Sequence, residues 1–158
     1  MNVLFLQLKF RNMTVKIFKF VWFFSLLATV AIFLYVYASL PLEVIVKEGN
    51  KPVVMSREAL FYSVLGAIAL INVLVFIVAK LFTEEQNDFK SWFYGFVAAL
   101  NLFVVTVINF LGVFNSGERF DYSGLGILIY GSIGLIILWS VSWPVYSISR
   151  KFLSKQPV

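Results

Sequence analysis

Residues 91–117 read SWFYGFVAALNLFVVTVINFLGVFNSG, 27 consecutive positions between Lys90 and Glu118 without a charged side chain. A hydrocarbon layer about 30 Å thick is crossed by roughly 20 helical residues rising 1.5 Å each. The stretch exceeds that length and lacks the strict polar–apolar alternation of a barrel strand. A single apolar segment in lipid has to satisfy its own backbone N–H and C=O groups, which selects the helix.

Working outward, the same reading applies three more times. Uncharged runs of 23, 21 and 28 residues lie between Lys19 and Glu43, between Glu58 and Lys80, and between Asp121 and Arg150. The spacing predicts spans at residues 20–40, 59–81, 92–113 and 122–146, and hence an all-α, integral membrane bundle of four transmembrane helices. Short connectors make successive helices antiparallel neighbours. A basic segment, residues 1–19, precedes this domain (20–146), and a basic tail, 147–158, follows it. The leading segment reads as a stretch lying at the membrane surface, its apolar side in the headgroups. The alternative is a start at Met13, where Met-Thr-Val-Lys-Ile-Phe-Lys leads into the first span.

Composition agrees with this class. Of 158 residues, 13% are charged and 61% hydrophobic, about half the charge of an ordinary soluble domain. No cysteine or histidine is present, which excludes disulfides, thiolate or imidazole metal ligands, and His- or Cys-based catalysis. No glycine-rich phosphate loop, nucleophile elbow or metal motif occurs. The expectation is a non-enzyme without cofactor. Its net charge of +5 sits where a membrane topology places it and calls for no nucleic-acid partner.

Orientation follows from lysine and arginine. Nine lie on one side of the spans (Lys9, Arg11, Lys16, Lys19, Lys80, Lys90, Arg150, Lys151, Lys155) and four on the other (Lys47, Lys51, Arg57, Arg119). Both termini are therefore expected in the cytoplasm, in a plasma membrane of bacterial inner-membrane type. Trp22, Trp92 and Trp143 fall at the cytoplasmic ends of their spans, as interfacial anchors would. Punctuation fits as well: Pro41 stops the first span, Ser56 caps the second, Asp121 or Ser123 caps the fourth, and Pro144 kinks or ends it. Thr83-Glu84-Glu85-Gln86 has the form of a capping box opening a short turn.

The four uncharged runs contain no lysine, arginine, aspartate or glutamate, which argues against proton-coupled transport. The polar groups that remain are chiefly Asn72, Asn101 and Asn109. On the third span, Tyr94, Ala98, Asn101, Val105, Asn109 and Gly112 recur every three or four residues and share a helical face. That face is either a hydrogen-bonded seam between helices or a polar lining. Gly124, Gly131 and Gly134 give the fourth span a surface for close helix packing, internal or with a partner. Glu43, Lys47 and Arg57 in the first outer connector are candidate contact residues.

One resemblance attaches to that connector. Leu40-Pro41-Leu42-Glu43-Val44-Ile45-Val46-Lys47, followed by Gly49, resembles the Leu-Pro…His…Gly stretch after the first helix of small bacterial membrane proteins of the sporulation-delaying toxin-immunity type. Lys47 stands where that family has histidine, and the connector is shorter. The resemblance implies a receptor or immunity role. From the residues themselves, the leading expectation is an accessory, assembly or scaffold subunit of a larger membrane complex, its partners being the bilayer and other subunits or further copies of itself. An oligomeric channel is the other alternative.

Overall fold

The computed structural model describes residues 3–47, 49, 51–83, 86–117 and 123–153, with side-chain surroundings for 12–47, 49, 51–83, 86–117 and 126–152. Four long helices dominate it: α1 (Val3–Ser39), α2 (Arg57–Leu81), α3 (Asn87–Phe114) and α4 (Ser123–Leu153). All four are long and apolar enough to cross a membrane. Bulky apolar side chains cover their outer faces, with Leu70, Ile127 and Leu138 each more than 70% exposed. A surface of that size and character is compatible with a membrane helical bundle.

The helices outrun the apolar stretches that announced them. The segment that precedes the first span is not a separate element: it forms the first five or so turns of α1, one helix from Val3 through the span. Asn12 on this extension accepts a 2.7 Å hydrogen bond from the Asn87 amide at the start of α3. Charged residues such as Lys16 and Lys19 do not oppose helix; they only oppose burial. Pro144 does not end α4, which runs on to Leu153. The helix ends otherwise obey their local chemistry. Ser56 caps α2 by accepting from the Ala59 N–H, and Gln86 Oε1 accepts from the Thr83 N–H, one half of the expected capping box. Asp121 lies outside the described residues.

The first connector is not a plain loop. Strands β1 (Glu43–Lys47) and β2 (Val53–Ser56) form an antiparallel hairpin with a bulge between Ile45 and Lys47. Its sequence, Glu-Val-Ile-Val-Lys against Val-Val-Met-Ser, is β-branched enough to favour strand. The turn between the strands includes Gly49 at φ 151°, a backbone conformation that glycine adopts at little cost.

The neighbour relations also differ from expectation. The sequential neighbours α2–α3 and α3–α4 pack as expected, but α1 packs chiefly on α3 and meets α2 only sparsely, which makes α3 the centre of the bundle. Two glycines on α3 allow this: a Cβ at Gly95 would overlap the Trp139 indole of α4, and one at Gly112 would lie 2.8 Å from Val36 Cγ1 of α1. Near the hairpin the core is Phe33, Val36, Leu40, Val44, Leu60, Ile68 and Ile108. Toward the opposite, tail end it is Trp22, Val75, Tyr94 and Val97. Between these clusters lies a polar layer.

Candidate functional site

The polar layer is built from α1, α2 and α3. Asn72 and Asn101, 4% and 0% exposed, exchange amide hydrogen bonds of 3.0 and 3.2 Å. The other Asn72 hydrogen goes to the Ile68 carbonyl at 2.8 Å, and the other Asn101 hydrogen to Ser25 Oγ at 3.0 Å. Trp22 Nε1 donates to Asn72 Oδ1 at 2.8 Å. The Ser25 and Thr29 hydroxyls donate to the carbonyls of Trp22 and Ser25. Every side-chain donor in the layer is thus spent inside it. The helical spacing of Trp22, Ser25 and Thr29 places them on one face of α1, turned toward α3.

Two expected members are placed differently. Trp22 is not exposed as an interfacial anchor would be; it is 5% exposed, held by Asn72, edge-to-face with Phe76 and tilted against Tyr94. Asn109 does not share the face of Asn101. It is exposed, and its amide donates only to the Val105 carbonyl one turn back. At about 100° per residue, the position repeating Asn101 two turns on is Ile108, which is buried; Asn109 is swung roughly 80° away from Asn101.

The glycines of α4 are not packing sites within this chain: a Cβ at Gly131 or Gly134 would meet nothing within 4 Å. The surroundings of Gly124 lie outside the described residues. In the hairpin, Glu43 and Lys47 are exposed, but Arg57 turns inward. Its guanidinium donates to the Leu40 carbonyl at 3.2 Å and lies 5.3 Å over the Tyr37 ring, joining the end of α1 to the start of α2. Sequence reasoning missed Asn115, whose side chain accepts from the Ile45 N–H at 2.8 Å and donates to the Ile45 carbonyl at 3.1 Å. An amide presents one donor and one acceptor side by side, so Asn115 imitates a neighbouring strand and closes the outer edge of β1.

A second constellation occupies the tail end, where α1, α3 and α4 leave a cleft of about 310 Å³. Phe18, Trp92, Trp139, Trp143 and Tyr146 line it, with Thr14, Asp88, Ser91 and Ser142. Two tryptophans lock one another: Trp92 Nε1 donates to the Trp139 carbonyl at 2.7 Å, and Trp139 Nε1 to the Trp92 carbonyl at 2.9 Å. Trp92 and Trp143 therefore do lie near one end of the bundle, but as walls of a cleft between helices. Asp88 Oδ2 accepts from Tyr146 at 3.1 Å and from Arg150 at 3.0 Å. A second hollow of about 390 Å³ shares Asp88 and Trp143 and is completed by Phe82, Gln86, Phe89 and Arg150. Among the described residues no group of His, Cys, Asp and Glu side chains is arranged to hold a metal ion.

No protein-family model matches the chain, and neither curated proteins nor solved structures give a match.

Proposed function

We propose that the chain is a non-enzymatic, multi-pass membrane subunit that docks through α4 into a larger membrane complex as an accessory, assembly or scaffold component. In this reading the four helices cross a bacterial inner membrane with both termini in the cytoplasm, the hairpin outside and the aromatic cleft at the inner headgroup level. The nine-to-four excess of basic residues on the tail side supports that orientation.

The observation that carries the docking role is the unequal packing of the helices. Only 6% of the most apolar window of α4 is buried, against 17–22% for the other three, and Gly131 and Gly134 stand on its open side. Glycine weakens a helix by about 1 kcal/mol relative to alanine and offers lipid little contact; what it permits is close approach by another helix. The closed polar layer supports the same reading over a channel, because the Asn72 and Asn101 amide hydrogens are all engaged within the chain. A receptor or immunity-type role is the second reading. It is favoured by the ordered hairpin, which exposes Leu42, Val53 and Val54 beside Glu43 and Lys47.

Solubilisation in mild detergent followed by mass spectrometry of co-migrating proteins tests the docking role. A partner retained by the native chain and lost from Gly131→Leu and Gly134→Leu, with unchanged thermal stability of the isolated variants, is the expected result. A native chain that migrates alone as a monomer, or variants that keep the partner, would count against it.

A further inference from the structure

The tail-end cleft has a lopsided inventory of polar groups. Its hydroxyl donors and two of its three indoles are engaged: Ser91 with the Asn87 carbonyl, Ser142 with the Trp139 carbonyl, Tyr146 with Asp88, and Trp92 and Trp139 with each other's main chain. Thr14 is engaged too. No lysine or arginine lines it, and its one charged lining group is Asp88. A carboxylate has about four acceptor positions, of which Tyr146 and Arg150 occupy two on a single oxygen. The Arg150 bridge reaches it from a guanidinium side chain 63% exposed to the surroundings, so solvent screens much of that attraction. What the cleft still offers a ligand is acceptor oxygen, negative charge and five aromatic rings.

We propose that this cleft binds an organic cation, an alkylammonium group such as choline, either free or carried as a lipid headgroup. An anion would find at most the single indole N–H of Trp143, set against the repulsion of the Asp88 carboxylate. A neutral polar molecule would find that one donor beside the acceptors and would leave the negative charge unused. An alkylated ammonium needs no strong acceptor network, and it is attracted by the electron-rich surfaces of aromatic rings, tryptophan above all. The volume, about 310 Å³, is at the lower end for small-molecule sites and ample for a trimethylammonium group with a short stem. The hydrogen bonds that fix Trp92 and Trp139 hold those rings in place before any ligand arrives, which lowers the cost of ordering on binding.

The test uses the full chain in phosphatidylglycerol nanodiscs, titrated with choline. Three of the four tryptophans line the cleft, so intrinsic fluorescence reports occupancy directly, with calorimetry as a second readout. Choline is expected to produce a saturable change. Its uncharged isostere, with carbon in place of the ammonium nitrogen, should bind about tenfold more weakly or not at all. Asp88→Asn and Trp143→Leu should each weaken choline about tenfold, the first without altering any core contact. Discs of phosphatidylcholine separate the two sources. If the headgroup is the ligand, they raise the apparent Kd of free choline and stabilise the native chain but not Trp143→Leu; if the free cation is the ligand, the Kd is the same in both discs. Equal binding of choline and its isostere would overturn the proposal. So would the absence of both a saturable choline response and lipid-specific stabilisation.

Discussion

Replacing Asn101 by leucine tests the central feature of the bundle. Asn101 is fully buried, and its side chain makes three hydrogen bonds to other helices, two with Asn72 and one with Ser25. Interhelical bonds of this kind in a membrane contribute about 0.6 kcal/mol on average and up to about 1.7. Their loss therefore costs roughly 2–5 kcal/mol if all three count in full. The partners are not left bare: Asn72 keeps Trp22 and the Ile68 carbonyl, and Ser25 keeps the Trp22 carbonyl. That pulls the hydrogen-bond share toward about 2 kcal/mol. A branched side chain in a space shaped for a planar amide adds about 1–3 kcal/mol, giving a total near 3–5 kcal/mol. Asn109→Leu is the matched control on the same helix. Its amide is exposed and bonds only within its own turn, so the change should cost less than about 0.5 kcal/mol. Reversible unfolding in mixed micelles by added SDS, followed by tryptophan fluorescence, measures both. Asn72→Leu combined with Asn101→Leu should cost less than the two single changes added, because each removes the same pair. Equal stabilities of the Asn101 and Asn109 variants, or strict additivity of the pair, would refute the closed-layer account.

Gly95→Ala should destabilise by about 1–3 kcal/mol, since the new methyl meets an indole that its own hydrogen bond to the Trp92 carbonyl keeps from moving aside; Gly134→Ala, which meets nothing, should be neutral or slightly stabilising in the isolated chain. Asn115→Ala should raise the hydrogen-exchange rate of the Ile45 amide severalfold while leaving the helices protected, and an unchanged rate would deny the strand-like bond. Single cysteines at Lys51 and Ser116 should react with an impermeant thiol reagent applied to intact cells, and one at Gln86 should not; labelling at Gln86 without lysis would reverse the proposed orientation.

What the sequence made legible was whatever depends on the solvent. Gaps of 21 to 28 residues between charges are long enough to require helices whichever neighbours they have. Contacts were legible only where the helical period was applied strictly. Asn72 and Asn101 were singled out as polar atoms in apolar runs, and they do meet. Asn109 was grouped with them by allowing steps of three or four, and successive choices of the longer step drift around the helix. Trp22 was assigned by depth alone; its spacing to Ser25 and Thr29 on an otherwise apolar face was the signal that it belonged inside. The role of Asn115 was not readable, because it depends on β1 returning to the end of α3 across 70 residues of chain. Nor was the cleft, whose walls come from three helices and whose shape depends on the indole of Trp139 reaching past Gly95.

The central place of α3 also has a consequence in time. Synthesis delivers α1 and α2 first, and these two helices barely touch. The roughly 30 residues that follow α2 and complete α3 take about 2–6 s at ordinary elongation rates. During that interval Asn72 can reach Trp22 and its own helix, but one amide hydrogen has no Asn101 to receive it, and Ser25 likewise waits for its donor. In the proposed membrane topology an unmet polar group in hydrocarbon is costly, so the early helices would either remain beside the insertion machinery or stay loosely associated until the third arrives. The bundle is then assembled around its latest necessary member, and a pause in translation just before Asn101 would expose the nascent chain at its most vulnerable length.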